Sequence, residues 1–288
     1  MAAATSFETA IPNAKQREEW NDATGAGWLE QHAWIDRQIA PLGRRAMDRA
    51  DVQHGERVLD VGCGCGETTV DLAGRVGETG LVLGVDVSAL LLAEARMSAR
   101  QFAISNVQFE EADAQTYSFP GGGFDLIFSR FGIMFFDNPI AAFQNLRSAL
   151  KRGGRIAFVC WPAARENLYI AIPLAVAAAH HIALPAPSDP DAPGQFAFAN
   201  PDRVRQILSE ADFTAIEIER VTERVGGRSV DDTIEMLLQL GPLGNALNDV
   251  DDDVGRAVRA DIRSALSRFE ISGCVWLDAV AWLATARA

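Results

Sequence analysis

Three alternating glycines interrupt an apolar run early in the chain. The residues just before Gly62 predict a strand, and helix-compatible residues resume at Glu67. Between them, Gly62, Gly64 and Gly66 predict a tight loop. A loop without Cβ atoms lets the backbone approach a ligand closely, and the helix start that follows presents free N–H groups. The segment therefore predicts a nucleotide-like ligand, although a plain strand-to-helix connection also uses such glycines.

A second apolar run ends in an acidic residue. Residues 81–86 read as a strand that ends at Asp86, and Ser88 predicts the cap of a helix reaching about Arg100. An acid at this position can accept both hydroxyls of a ribose. This arrangement fits a dinucleotide site as well as any other adenosine site.

Three details of the sequence distinguish a dinucleotide ligand from an adenosine joined to an amino acid. A G-x-G-x-x-G pattern starting at Gly62 needs a third glycine where Glu67 stands. Asp60 lies inside the first strand, where it would repel a pyrophosphate and attract an ammonium group. Asp113 ends a third short strand and can accept a hydrogen bond from an adenine amine. An adenosine joined to an amino acid fits better than NAD(P), so an NAD(P)-dependent oxidoreductase is the alternative.

In the order and spacing of these segments the sequence resembles the class I S-adenosylmethionine-dependent methyltransferases. The matching segments are 58–66, 85–86, 113–114, 124–129 and 150–156. The resemblance covers about residues 55 to 161. It implies S-adenosyl-L-methionine as cofactor and in-line transfer of its methyl group to an O, N or C atom of a small acceptor. A cofactor-binding protein without transfer activity is a further alternative.

The resemblance also implies a role for each matching residue. The glycine loop holds the methionine part, Asp86 holds the ribose, and Val87 packs on the adenine. Ser129 and Arg130 lie at the methionine end, and Trp28 either closes over the cofactor or packs the N-terminal cap onto the core. The predicted cofactor-binding residues are Trp28, Asp60, Gly62, Cys63, Gly64, Gly66, Asp86, Val87, Asp113, Ala114, Ser129 and Arg130.

Candidate acceptor and catalytic residues come from two other segments. Phe131, Met134 and Phe135 follow the fourth strand, where open α/β sheets bind ligands, although they also suit the core of the next helix. His180 and His181 are the close histidine pair from which a general base would come. At most one of them would face the site, and polar residues at a solvent edge are an equally simple interpretation.

Composition excludes several classes. The formal net charge of −13, with no basic stripe, argues against a nucleic-acid partner. The four cysteines lack zinc spacing, so no metal is expected. No long apolar segment is present, so we expect a cytoplasmic protein without membrane contact. Six tryptophans lie mostly near the two ends of the sequence and are compatible with a homodimer interface.

Alternating strand and helix patterns predict a Rossmann-like, doubly wound, mostly parallel seven-stranded sheet with an antiparallel last strand. Gly153 and Gly154 are predicted to stop the helix that begins near Ile140. The apolar inserts 165–200 and 230–270 are predicted to form a pocket for a lipophilic or aromatic acceptor. The predicted units are an N-terminal helical cap (1–50), a cofactor-binding core (51–161), a lid (162–200) and a C-terminal completion with a helical insert at about 230–270 (201–288).

Overall fold

The computed structural model describes residues 11–119, 123–184, 189–240 and 242–288, so parts of the predicted N-terminal cap (1–50) and of the predicted lid (162–200) lie outside the described residues. Helices cover both faces of one central sheet, and two of them precede the first strand. The helices are α1 (Ala14–Asn21), α2 (Ala23–Arg49), α3 (Glu67–Val76), α4 (Ala89–Gln101), α5 (Pro139–Ala149), α6 (Leu168–Ala179), α7 (Pro201–Glu210), α8 (Val230–Leu240), α9 (Pro242–Ala246) and α10 (Asp252–Ser267).

The sheet has the order β3-β2-β1-β4-β5-β8-β6, and the short β7 pairs with β8. Its strands are β1 (Arg57–Val61), β2 (Leu81–Asp86), β3 (Val107–Glu111), β4 (Phe124–Arg130), β5 (Leu150–Cys160), β6 (Thr214–Arg228), β7 (Glu270–Ile271) and β8 (Cys274–Arg287). The first five strands pair in parallel, and β8 runs antiparallel between β5 and β6. This topology confirms the predicted doubly wound fold and adds one two-residue strand.

The centre of the sheet is buried on both faces, as expected where helices cover a parallel sheet. Val58 and Leu59 in β1 and Ile127 and Phe128 in β4 have no exposed surface. The chain moves outward on one side of β1 through β2 and β3, then returns to its other side with β4. Ligands of such sheets bind beyond the carboxyl ends of the strands at this reversal.

Two helix starts follow the predicted capping chemistry. The Ser88 hydroxyl accepts a hydrogen bond from the Leu91 amide at the start of α4. Asn138 caps α5 in the same way, and Pro139 occupies the first helical position. These caps fix where the two helices leave the carboxyl ends of β2 and β4.

The predicted role of Gly153 and Gly154 was wrong. Helix α5 already ends at Ala149, and both glycines lie inside β5. Pairing between β4 and β5 jumps from Phe124–Leu150 to Leu126–Arg155, so the extra residues form an irregular bulge. Gly153 has a φ of +79° there, which a glycine adopts without strain.

The C-terminal half builds a second, smaller core. Helices α6, α8 and α10 turn their apolar faces toward one another and toward the beginning of β8. Val258, Ile262 and Leu266 of α10 are fully buried in it. Among the residues that the structure describes, no helix combines the length and apolarity needed to cross a membrane.

Candidate functional site

The glycine loop is held between the ends of three strands. The amides of Gly62 and Cys63 both donate to the Val85 carbonyl, at 2.9 and 3.1 Å. The Gly64 amide donates to Asp86 Oδ2 at 2.8 Å. A Cβ on Gly62 would lie 2.6 Å from the Gly132 Cα, whereas a Cβ on Gly64 would meet nothing within 4 Å. The loop is therefore packed below Gly62 and open above Gly64.

A cavity of about 460 Å³ lies above this loop at the carboxyl ends of the strands. One end is bordered by the loop and by acidic residues, and the other end is aromatic. Of the predicted cofactor residues, those that line it are Trp28, Gly62, Cys63, Gly64, Asp86, Val87, Asp113, Ala114 and Arg130. The structure places Asp60, Gly66 and Ser129 outside this lining, and Gly66 packs against Ala95 and Phe109.

Asp60 lies beneath the loop with no exposed surface. Its Oδ2 accepts hydrogen bonds from the hydroxyls of Thr68 and Thr69, at 2.6 and 2.7 Å. Its Oδ1 is buried and has no hydrogen-bond partner among the described residues. Burial raises the pKa of Asp60 to about 6, although the two threonine hydroxyls and Arg130 oppose that rise.

Asp86 and Asp113 are both anchored by backbone amides. Asp86 accepts from the Ser88 amide at 2.9 Å as well as from Gly64. Burial raises the pKa of Asp86, and these amides oppose the rise. Asp113 uses one oxygen, Oδ1, for the Gln115 amide and for the side chain of Asn13, at 2.9 and 2.8 Å. A carboxylate has about four acceptor positions, so both acids keep capacity for a ligand.

The two residues predicted at the methionine end lie differently. The Ser129 hydroxyl donates to the Val61 carbonyl at 2.7 Å and accepts from the Gly132 amide, so it joins two loops behind the cavity. The Arg130 guanidinium lines the cavity and pairs with Asp36 of α2 at 2.6 Å.

Helix α1 closes the cavity from the N-terminal side. The Ser88 hydroxyl donates to the Trp20 carbonyl, and Asn21 bonds both the Val87 carbonyl and the Ala89 amide. At the other end of the helix, Asn13 accepts from the Asp137 amide at 2.6 Å. The cap is thus tied to the core on both sides of the cavity.

The aromatic end contains a stacked ring pair. The rings of Phe131 and Trp161 are 3.9 Å apart and nearly parallel, at 8°. Phe131 has a φ of +62°, a backbone conformation that costs energy for a side chain of this size. Trp20 contacts both Trp28 and Phe135 edge to face. Met134, Phe135 and Phe136 complete this wall, so the predicted acceptor residues Phe131, Met134 and Phe135 all line the cavity.

The predicted histidines and inserts lie elsewhere, and these expectations need correction. His180 and His181 border a separate cavity of about 480 Å³ beside Asp249 and Asp251. His180 Nε2 pairs with Asp261 Oδ2 at 2.8 Å because α6 packs against α10. Among the described residues, the two inserts contribute Gln195 alone to the loop cavity. Most of their buried apolar residues instead belong to the second core, and Ala197 and Phe198 belong to the first.

Sequence reasoning missed several residues of the cavity. Asn13, Gln16, Trp20 and Trp161 line it, and local patterns around them carry no sign of a site. Helix α2 did carry a signal. Its residues at three- and four-residue steps lie on one face, and Thr24, Trp28, Ile35 and Ile39 all reach the cavity.

Comparisons with known proteins fit this geometry. Residues 58–154 match the family described as a methyltransferase domain. Aklanonic acid methyltransferase DauC of Streptomyces sp. (strain C5) is 37% identical over 120 residues, which are 42% of this chain and 54% of that protein. Demethylmenaquinone methyltransferase of Staphylococcus saprophyticus is 33% identical over 113 residues, 39% of this chain and 48% of that protein. The chain thus spans about half the length of these curated relatives.

A solved structure extends the likeness over most of the chain. Phosphoethanolamine N-methyltransferase 2 of Haemonchus contortus, in complex with phosphomonomethylethanolamine and S-adenosylhomocysteine, superposes with a TM-score of 0.59. The match covers 94% of this chain and 60% of that protein at 18% identity, so it concerns the fold.

The sheet order, the glycine loop and the acids at the ends of β2 and β3 define a Rossmann-like methyltransferase core. Residues 58–154 match a methyltransferase domain, and this core is similar to that of the class I S-adenosylmethionine-dependent methyltransferases, whose cofactor is S-adenosylmethionine.

Proposed function

We propose that this chain transfers the methyl group of S-adenosylmethionine to a small, planar, largely apolar aromatic acceptor. The observation that carries the proposal is the division of one cavity into two chemically different ends. The glycine loop and two acids border one end, and stacked and edge-on aromatic rings border the other. A cofactor and an acceptor held in one cavity can react without crossing bulk water.

The residues at the polar end fit the cofactor. The space above Gly64 is open, so a ligand can lie against the loop backbone. Among the described residues the buried Oδ1 of Asp60 has no donor, and the carboxylate beneath the loop would attract the ammonium group of a ligand lying above it. Asp86 would accept the ribose hydroxyls, and Val87, Asp113 and Ala114 would surround the adenine. Arg130 would face the methionine carboxylate, and Trp28 would cover the cofactor from α2.

The bound cofactor would supply a methyl group on a positively charged sulfur. Catalysis then depends mainly on position, because the acceptor atom must lie about 3 Å from that carbon and in line with the breaking bond. The cationic charge disappears during the reaction, so an apolar aromatic surrounding favours the transition state over the starting state. Phe131, Trp161, Trp20 and Phe135 would provide this surrounding and orient a flat acceptor by stacking.

The curated relatives support the acceptor class. DauC is named for aklanonic acid, and the second relative is named for demethylmenaquinone. The homodimer predicted from the tryptophans stays a prediction. Trp20, Trp28 and Trp161 line the cavity, and the Trp282 indole donates to the Ala199 carbonyl within the same chain.

The experiment is a transfer assay with S-adenosylmethionine carrying a deuterated methyl group. Planar hydroxylated aromatics, such as naphthols and hydroxyanthraquinones, are tested beside polar acceptors such as phosphoethanolamine. We expect labelled product by mass spectrometry from the aromatic set. Turnover of the polar acceptors alone would overturn the proposed acceptor class. Binding of S-adenosylhomocysteine without transfer to any acceptor would instead indicate a cofactor-binding protein without transferase activity.

A further inference from the structure

Three side chains that can bind or transfer protons meet beside the loop cavity, and two of them lie in its wall. His32 Nδ1 lies 2.7 Å from Glu67 Oε1. Cys65 joins them, and one potential ligand atom from each of the three residues lies within 4.8 Å of the others. Cys65 and Glu67 both line the cavity. This cluster belongs to the site, yet none of the roles assigned above uses it.

His32 is not itself among the residues that line the cavity, but it lies on the same face of α2 as four residues that do. Thr24, Trp28, Ile35 and Ile39 line the cavity, and His32 follows Trp28 by four residues and precedes Ile35 by three. Residues at these steps share one face of a helix. The side chain of His32 is 26% exposed and that of Glu67 is 27% exposed, so the pair is half-buried at the cavity edge.

The geometry is that of a hydrogen bond rather than of a metal centre. A tetrahedral zinc ion with bonds of about 2.0–2.1 Å would hold its ligand atoms about 3.3 Å apart or more. The His32 and Glu67 atoms are closer than that, at 2.7 Å. In addition, burial raises the pKa of the Cys65 thiol, and the nearby carboxylates of Glu67 and Glu94 raise it further. Without a metal ion the sulfur therefore stays a thiol.

We propose that His32, oriented by Glu67, is the general base that removes the proton from a hydroxyl acceptor, an inference that rests on the proposed methyltransferase function. In this proposal the Nδ1–H of His32 donates a hydrogen bond to Glu67 Oε1, which leaves the lone pair on Nε2. The acceptor O–H bond breaks and its proton bonds to Nε2. The oxygen electron pair forms the new bond to the methyl carbon, while sulfur keeps the pair of the C–S bond. The imidazolium, stabilised by Glu67, then releases its proton to water.

Several charged groups set the field around this pair. Glu67 on α3 and the neutral thiol of Cys65 face His32 directly. Asp36 follows His32 by one turn on α2, where it is paired with Arg130 from the end of β4. Asp86 and Glu94 lie near Cys65 on the other side. The charged groups around the pair are therefore mostly acidic.

The test compares His32→Gln and Glu67→Gln with a matched control, His180→Gln. His180 makes a similar pair with Asp261, at 2.8 Å, outside the loop cavity. The substrates are naphthols of graded acidity. We expect kcat to fall by about 100-fold or more in His32→Gln with weakly acidic naphthols, and by much less with nitronaphthols that are already ionised. Affinity for S-adenosylhomocysteine, measured by calorimetry, should change by less than about 2-fold, and His180→Gln should match the wild type.

Two readouts need no turnover. The ¹⁵N spectrum of the imidazoles should show His32 protonated at Nδ1 in the wild type bound to S-adenosylhomocysteine, and Glu67→Gln should lose that preference. This tautomer signature tests Glu67 as a positioning residue. Elemental analysis of the purified wild-type protein should find no stoichiometric zinc.

Each contrary result has a distinct meaning. Unchanged kcat in His32→Gln, or an Nε2-protonated ring in the wild type, would overturn the base. A parallel loss of S-adenosylhomocysteine affinity would assign the pair to cofactor binding, and one equivalent of zinc lost in either variant would assign it to a metal site. A wild type that transfers no methyl group while keeping the predicted tautomer would overturn the proposed function instead.

Discussion

The two cores of this chain meet the same sheet but treat their polar groups differently. Beside the glycine loop, the carboxylate of Asp60 is buried, and one of its oxygens has no hydrogen-bond partner among the described residues. In the core of α6, α8 and α10, the buried residues are almost all apolar, and the charged residues of α10 pair at the surface. An unsatisfied buried polar group is costly and is retained where a function requires it. The contrast points to the first region as the reactive one and to the second as a support.

The largest difference in cofactor affinity between the two regions is expected from valine substitutions at Gly64 and Gly273. Gly64 and Gly273 both have positive φ values, +56° and +80°, and an added Cβ meets nothing within 4 Å at either. Valine at either position should therefore cause similar backbone strain. Gly64→Val should reduce S-adenosylhomocysteine affinity by more than about 100-fold, or about 2.7 kcal/mol, because its side chain fills the cavity. Gly273→Val, next to the second core, should bind normally in the same calorimetric titration. Equal affinities in the two variants would remove the loop from the site.

A substitution that leaves a cavity in the second core should lower stability and leave cofactor affinity unchanged. Ile262 of α10 is fully buried, so Ile262→Ala should lower the free energy of unfolding by about 2–5 kcal/mol. Cofactor affinity measured well below the melting temperature should stay within about 2-fold of the wild type. Denaturant unfolding and calorimetry measure the two quantities. A variant that is stable but binds poorly would show that the second core shapes the site.

Asp60 gives the site a pH signature. Its pKa is raised to about 6 in the folded protein by burial, above its ordinary value of 3.8. The folded state therefore holds this proton more tightly, and stability falls as pH rises from about 4 to 6 and is level above that. The full difference is on the order of 3 kcal/mol. Relative to Asp60→Asn, the wild type should lose stability across this window in denaturant unfolding without ligand. Parallel curves for the two proteins would mean that Asp60 titrates normally.

A ligand that brings an ammonium group to Asp60 should favour its ionised form. We therefore expect saturating S-adenosylmethionine to shrink the difference between the two pH curves. The same difference with and without the ligand would place the ammonium group elsewhere.

Removing the carboxylate of Asp86 should have a moderate effect. Asp86→Ala should weaken S-adenosylhomocysteine binding by about 1.5–3 kcal/mol, because the ribose loses a charged acceptor and the Gly64 amide loses its partner. Asp261→Ala, an acid of the second region, is the control and should bind normally. Unchanged affinity in Asp86→Ala would mean that the ribose is held by other groups.

The smallest effect is expected at His180. Its partner Asp261 is 59% exposed, and exposed ion pairs contribute at most about 1 kcal/mol. His180→Gln should therefore leave unfolding, cofactor affinity and methyl transfer close to those of the wild type. A strong loss of transfer alone would return this histidine to the list of candidate bases.

Local pattern predicted most of the fold. Apolar runs and caps such as Ser88 and Asn138 indicate strands and helix starts, because these signals act within a few residues. The end of α5 was misplaced because glycine has two uses, and here Gly153 forms a bulge inside β5. Short strands such as β7 carry too few residues to show a period.

The site was harder to predict because its contacts join distant segments. Asn13 meets Asp113 across 100 residues, and His32 meets Glu67 across 35. No local period encodes such pairs. The inserts were apolar, as a lipophilic pocket would require, but that composition serves equally well for helices that bury one another. His180 and His181 were chosen because they are adjacent in sequence, whereas adjacency along a helix does not direct a side chain to a site.

Cofactor identity is tested most directly by a calorimetric titration of the purified protein with S-adenosylmethionine, S-adenosylhomocysteine and NAD in parallel. The glycine loop, the carboxylate of Asp60 beneath it and the acid at the end of β2 together predict micromolar binding of the first two ligands and none of NAD. Binding of NAD, or of none of the three, would contradict the assignment of this cavity to S-adenosylmethionine.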